Sequence, residues 1–441
     1  MAVAGVLVLG LYYARVFGVQ VGMLVLLIVT SVEDHYTFRV GPVAVRAEQV
    51  AMVMALVVFG AVLLRGAKKD WLRPSLAEGF LLAWFAIELI SSLLGSPDRR
   101  LSAKNLALLA VTFVVVFLPR RLLAGSRAGE QMETVLRWLL IAFATEAAYG
   151  TIVYLVHVVG PTISIGPNPA SGYLGAYGSL WEQNVFGAYS AAGVVAWAYL
   201  GPARFRSAWV GLALCIGGLG VSLTRAAWLA AAAVGGLGVV LPRLRQRLDL
   251  ATVIRGAAAG LVLIGTMLLV DRSGSYSVPL PHAVGVPGPP ASPGFLSAAL
   301  NRVDVLGRIN QIGPVLGDLR GHLLLGRGTA SYESLHTVAG SPEHIASLPL
   351  LILEDGGIVG LALFGAFILA LAFKAWSRRQ SEIVVALGQV ALVLAITNLA
   401  TQTTELMVDW LLIGLLLAAV ELLPVGNPER GAPASAPAGT L

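Results

Sequence analysis

The sequence predicts an all-α, polytopic integral membrane protein of about twelve spans. Three observations carry this expectation. Only 12% of the residues are charged and 57% are hydrophobic, where soluble domains carry about 25% charged residues. The apolar residues fall in runs close to the roughly 20 residues that a bilayer span needs. A single long polar interval, Asp271 to Glu343, interrupts them.

Taken in order, the first apolar region covers 3–31 and is interrupted near Tyr13–Arg15, giving one broken helix or two short ones. Spans are then expected over 43–64, 75–94, 101–118, 133–159, 180–200, 207–222, 226–241, 254–270, 346–373, 382–400 and 406–423. The apolar N-terminus has no basic leader segment and runs on into membrane sequence, so a cleavable signal peptide is not expected. The chain thus divides into spans over 1–270, a large loop over 271–345, spans over 346–424, and a tail over 425–441 whose Pro, Ala and Gly content predicts disorder.

Basic residues orient the chain, because short cytoplasmic loops are enriched in Lys and Arg. Arg65, Lys68, Lys69 and Arg73 share one loop; Arg120, Arg121, Arg127 and Arg137, then Arg204 and Arg206, then Arg243, Arg245, Arg247 and Arg255, then Lys374, Arg378 and Arg379 follow in alternate loops. Those loops and both termini are therefore expected in the cytoplasm, and 271–345 outside it. Arg99, Arg100 and Lys104 break the rule on the outer side, facing lipid headgroups or an anionic lipid substrate. The net charge of +6 follows from this topology and does not indicate a nucleic-acid partner. The lone Cys215 excludes a disulfide within the chain. There is no G-x-x-x-x-G-K-[ST] segment and hence no sign of ATP hydrolysis.

The large loop holds His282, His322 and His336, and ends at His344. Six prolines exclude a regular helix over 279–293. Residues 295–319 have helical periodicity, with Phe295, Ala299, Val303, Leu306, Ile309 and Ile312 on one side, and predict an interfacial helix that Pro314 kinks or ends. Gly326–Gly328 predicts a turn.

Several residues are candidates for chemistry. Arg225, in SLTRAAW between two apolar runs, is costly at membrane depth without a partner or a wet cavity, and its guanidinium suits a phosphate. Arg302 and Arg308 lie on the loop helix; Asp304 offers Arg308 an ordinary i,i+4 pair instead. His344, at the mouth of a span, is placed to deprotonate a hydroxyl near neutral pH, with His336 as the second candidate and His322 as the third. Glu182 and Asn184, after Trp181, are suited to sugar hydroxyls, although an aromatic anchor explains Trp181 equally well. Glu33 and Asp34 with His35 would suit a divalent cation or a solvated loop. The histidine spacings form no helical metal motif, and no cofactor is expected.

SLTRAAW (222–228), GRIN (307–310), LLLGRGTASY (323–332) and EHIASLPLLILEDGGIVGLALF (343–364), in that order, together with WEQNVFG (181–187), resemble the O-antigen ligase and O-antigen polymerase superfamily. The resemblance covers roughly 180–365. Gly357-x-x-Gly360 fits the family's Glu-x-Gly-x-x-Gly signature, whereas Ile345 stands where the family often has Asn, and Thr224 where it has Ser. The resemblance implies a membrane-embedded glycosyltransferase of the C type in the bacterial inner membrane. The donor would be a glycan on undecaprenyl diphosphate, and the acceptor a sugar hydroxyl on lipid A–core or on a second lipid-linked repeat unit. Transfer would invert the anomeric centre with no metal or nucleotide. His344 would be the base; Arg225 and Arg308 would stabilise the diphosphate; Arg302, Arg327, His336, Glu182 and Asn184 would bind substrate. Two alternatives are a metal-dependent transferase built on Glu33 and Asp34, and a transporter of the same lipids using the few acidic or histidine side chains near spans (Glu88, Glu146, His157, Glu405, Asp409).

Overall fold

The computed structural model describes residues 2–31, 37–40, 43–64, 73–123, 127–159, 176, 179–180, 183–271, 309–338, 341–402 and 406–423. The chain is a helical membrane protein. Among the described residues, five helices are long and apolar enough to cross a bilayer: Ala47–Leu64, Leu76–Gly95, Arg99–Leu122, Ala128–Val156 and Leu348–Ser377. Shorter apolar helices accompany them.

The first apolar region is two helices, α1 (Ala2–Phe17) and α2 (Val19–Ser31). They part at Gly18, which adopts a positive φ of 81°, a conformation open to glycine at little cost. The break thus falls a few residues after the expected Tyr13–Arg15 interruption. α2 folds back on α1, and Gly22 lets the two backbones touch: a Cβ there would lie 2.6 Å from the Tyr13 carbonyl carbon. Residues 43–46 are also not the start of a span. They pair as β2 (Val43–Arg46) with β1 (Thr37–Val40) in an antiparallel hairpin ahead of α3 (Ala47–Leu64).

α4 (Leu76–Gly95) starts at a capping box in which Ser75 and Glu78 exchange backbone bonds. α5 (Arg99–Val114) passes through one 3₁₀ turn into α6 (Leu118–Leu122). Arg120 and Arg121 of α6 return to Glu78, with Arg121 Nη1 2.6 Å from Oε1. Glu78 is fully buried, and the two guanidinium groups offset the cost of burying its charge. Glu78→Gln, which keeps an acceptor but removes the charge, should destabilise the detergent-solubilised protein by about 2 kcal/mol; a thermal melt reads this directly.

α7 (Ala128–Val159), α8 (Gln183–Arg204) and α9 (Ala208–Val221) pack together, and α12 (Leu250–Asp271) packs on α9. α10 (Arg225–Val240) and the single turn α11 (Pro242–Arg245) lie between α9 and α12 in sequence. The break at 222–224 stands where the sequence places it, with Leu223 at a positive φ of 55°. After the loop helices α13 (Ile312–Asp318) and α14 (Ser331–Leu335) and the short hairpin β3 (Thr337–Val338) and β4 (Ser341–Pro342) come α15 (Leu348–Ser377), α16 (Glu382–Asn398) and α17 (Met407–Leu422). α15 packs along α4, and α16 packs on α8 and α10. The main core is built from Leu, Val, Ala and aromatic side chains of the helices, including Trp84, Phe113 and Trp410.

The helical turn at Ile309–Asn310 breaks at Gln311 and resumes as α13 with Pro314 in its first turn. Pro314 has no N–H to offer the Asn310 carbonyl, which accounts for the break. The expected tail over 425–441 and residues 295–308 of the expected loop helix lie outside the described residues.

Candidate functional site

α15 is not one continuous helix. At Gly357 the backbone takes φ 64° and ψ −164°, which breaks its hydrogen-bond ladder. The loop segment 323–328 fills the break. The carbonyls of Leu323 and Leu324 accept from Ile358 N–H (2.9 Å) and Val359 N–H (3.1 Å), and the N–H groups of Arg327 and Gly328 donate to the carbonyls of Glu354 (2.8 Å) and Asp355 (2.9 Å). The loop therefore supplies the donors and acceptors that the broken helix lacks, a necessity for backbone buried at membrane depth. Ser91 Oγ on α4 also donates to the Asp355 carbonyl.

Glycine makes this contact possible. A Cβ on Gly326 would lie 2.4 Å from the Asp355 carbonyl oxygen, and one on Gly328 would lie 2.4 Å from Ser92 Cα. Both glycines have positive φ, so the turn expected at Gly326–Gly328 is present. Thr329 completes the anchor: its N–H donates to Ser92 Oγ (3.0 Å), and its Oγ1 donates to the Ser102 carbonyl (3.1 Å). The segments LLLGRGTASY and EDGGIVG, separate in sequence, are thus one hydrogen-bonded unit against α4.

This anchor carries the titratable groups. α14 follows it directly, and Ser331 Oγ donates to Glu354 Oε1 at 3.2 Å. Arg327, Asp318 and His336 are all within electrostatic reach of Glu354. His336 Nε2 lies 2.6 Å from Asp318 Oδ2, and its ring stacks on Tyr332 at 4.3 Å between centroids. The Tyr332 hydroxyl donates to Glu343 Oε2. Burial and the Glu343 carboxylate push this phenol up to about 12, so it remains a donor through the ordinary pH range.

His344 pairs with a different carboxylate, Nδ1 to Glu333 Oε1 at 2.7 Å. A carboxylate only accepts, so Nδ1 carries the proton of this bond. The segment before α15 is clamped by Gln311, whose Nε2 donates to Glu343 Oε1 and to the His344 carbonyl, both at 2.9 Å, and whose Oε1 accepts from Ala346 N–H at 3.0 Å. Ile345 points the other way, into a small core with Val315, Leu319 and Tyr332. Burying Ile345 turns His344 outward, and its side chain is 68% exposed.

A second polar cluster surrounds Arg225, which opens α10 and is half-buried. Thr224 Oγ1 donates to the Gln183 carbonyl (2.9 Å) at the start of α8. Gly187 gives Thr224 its space, since a Cβ there would lie 2.5 Å from Thr224 Cβ. SLTRAAW and residues 183–187 therefore pack on each other, which places Arg225 and Asn184 on neighbouring helix starts. Nearby in the chain, Ser179 N–H and Oγ both donate to buried Glu146, each at 2.7 Å.

Of the residues the sequence singles out, His336, His344 and Arg327 share the loop anchor, and Arg225 and Asn184 share the α8–α10 contact. Arg302, Arg308, Glu182, Glu33 and Asp34 lie outside the described residues. His322 lines a cleft beside α4. Sequence reasoning does not find Asp318, Glu333 or Gln311, because each acts on a residue 11 to 35 positions away through a loop of no fixed period. Among the described residues no group of three His, Cys, Asp or Glu side chains has the geometry of a metal site. No protein-family model matches the chain, and no curated protein is significantly similar to it.

Proposed function

We propose that the chain is a membrane glycosyltransferase that moves a glycan from undecaprenyl diphosphate to an acceptor sugar hydroxyl at the outer face of the bacterial inner membrane. The observation that carries this reading is the Glu333–His344 pair, held at the mouth of α15 by the Gln311 clamp and the loop anchor. It supplies an oriented base of the kind that a hydroxyl nucleophile requires. The ordered motifs that resemble the O-antigen ligase and polymerase superfamily support the same chemistry, and the fold gives two of those motifs a shared role in anchoring the loop.

In this reading the acceptor O–H gives its proton to His344 Nε2 while Glu333 stabilises the imidazolium. The acceptor oxygen attacks the anomeric carbon opposite the diphosphate. The carbon–oxygen bond to phosphate breaks, its electron pair leaves with the diphosphate, and the centre inverts. The departing charge needs fixed cations in a partly dry site. Arg225 has that role, joined by Arg308 and Arg302 of the loop; Arg327 and His336 line the approach, and Glu182 and Asn184 hold sugar hydroxyls. About twelve spans with both termini in the cytoplasm put the loop on the donor's side of the membrane.

The test is direct. Purified protein in detergent, given a lipid-linked oligosaccharide and excess EDTA, should form a longer or transferred glycan. No transfer under any acceptor condition would reject the reading in favour of transport, and loss of transfer only with EDTA would favour the Glu33 and Asp34 metal site. Chain growth without added lipid A–core marks a polymerase; product only with core marks a ligase.

A further inference from the structure

Glu88 lies inside a membrane-length helix, α4, about 10 Å along the helix from its end at Gly95. It is 1% exposed. Among the described residues neither of its carboxyl oxygens has a hydrogen-bond partner. The Trp84 indole N–H, one turn earlier and also buried, approaches the carboxyl without reaching hydrogen-bond geometry, and it too has no partner.

The carboxyl faces the break in α15. A Cβ on Gly356 would lie 2.8 Å from Glu88 Oε1, and one on Gly360 would lie 3.8 Å from it. Two glycines one turn apart thus leave the space that the carboxyl fills. On the next turn of α4, Ser91 Oγ donates to the Asp355 carbonyl and Ser92 Oγ accepts from Thr329 N–H. Glu88 therefore sits beside the point where segment 323–328 enters the break. A cleft lined by Ser91, Leu94, Gly95 and residues 321–326 reaches that point from the Gly95 end of α4.

The elements packed around Glu88 bring it no neutralising charge. α15 brings two further carboxyl side chains, Glu354 and Asp355, at the break. Phe113 of α5 and Trp410 of α17 pack on Trp84, with Asp409 preceding Trp410. The nearest loop cation, Arg327, sets its backbone against Gly95, two turns from Glu88. His322 lines the cleft, and Arg99, Arg100 and Lys104 of α5 are exposed. A carboxylate without a partner is far costlier at this depth than the neutral acid.

We infer that Glu88 is a proton-binding site within the spans, and that the proton it carries keeps segment 323–328 in the α15 break. With the loop docked, the carboxyl is shut off from water and holds the proton as a neutral acid. With the loop out, the open break admits water and the carboxyl ionises as an ordinary glutamate. Docking therefore takes up one proton, so it is complete at low pH and weakens as pH rises, by up to about tenfold per pH unit. The segment leads directly into α14, which carries Glu333, so the proton also governs whether Glu333 stands beside His344. A proton fits this site better than a metal ion, because the Glu354 and Asp355 carbonyls at the break already accept from the Arg327 and Gly328 N–H groups. The inference goes beyond glycan transfer and does not depend on it.

The test uses the full chain in nanodiscs of phosphatidylcholine. Infrared difference spectra at neutral pH should show a protonated-carboxyl band in the wild type that Glu88→Gln lacks. Hydrogen exchange of the 323–328 amides is then followed by mass spectrometry from acid to alkaline pH. Taking the ratio of wild type to Glu88→Gln at each pH cancels the intrinsic pH dependence of exchange. The ratio should be near one at acid pH and rise toward alkaline pH by up to about tenfold per unit, because the amide variant stays docked throughout. Glu88→Met, apolar and of similar length, gives the same reference if the amide weakens the fold. A ratio that stays flat against either variant, or a wild type without the carboxyl band, overturns the proposal. Protection restored at alkaline pH by sodium chloride but not by choline chloride also overturns it, and assigns the site to a metal cation.

Discussion

Replacing His344 with alanine is expected to lower glycan transfer by about 10²–10⁴-fold, the range that one positioned acid–base group supplies. The protein should still insert and melt as the wild type does. The side chain is 68% exposed and pairs with Glu333 at the surface, so the change leaves no cavity. Glu333→Gln serves as the companion: it keeps a hydrogen bond to the ring but removes the charge that stabilises the imidazolium. It should lower the rate at saturating substrate more than it raises KM. His336 is built differently, packed on Tyr332 and bonded to Asp318. His336→Ala should therefore loosen the loop and lower the melting temperature. Full transfer by His344→Ala together with loss in His336→Ala would assign the base to His336.

Gly357→Ala should be strongly destabilising, on the order of 4 kcal/mol. Two costs add. The residue holds φ 64° with ψ −164°, a region essentially confined to glycine. A Cβ would also lie 2.4 Å from the Leu324 carbonyl oxygen, which the Val359 N–H needs. The loop would have to leave the helix break, exposing backbone that nothing else satisfies. Thermal unfolding and protease cleavage within 321–328 measure this. Gly365→Ala, on the same helix with open space around its Cβ, is the control and should be neutral or stabilising by up to about 1 kcal/mol. Matching melts for the two variants would show that the loop is not held by the break.

Much of the fold is legible in the sequence, for a local reason. A span must be apolar along its whole length, so its position is written in consecutive residues. Helices end at Leu64, Gly95, Val221 and Val240 within a residue or two of where the apolar runs end. Breaks are less legible. Tyr13–Arg15 carries the polarity signal, but Gly18 carries the conformational one, and conformation decides where the chain turns. Gly356–Gly357 lies inside an apolar run, so its hydrophobic pattern does not distinguish a broken helix from a continuous one.

By itself the sequence determined a helical membrane chain with four of its six histidines gathered in one loop before α15, and it marked His344, His336, Arg327 and Arg225 by residue type and position. Tertiary structure alone decided that LLLGRGTASY completes the hydrogen bonding of the EDGG break, that Glu333 and Asp318 each take one histidine, and that Ile345 turns inward so that His344 turns out. Hydrophobicity and span length are properties of neighbouring residues. Hydrogen-bond partners and side-chain direction belong to segments that meet only when the chain is folded, and no period in the sequence records which ones will meet.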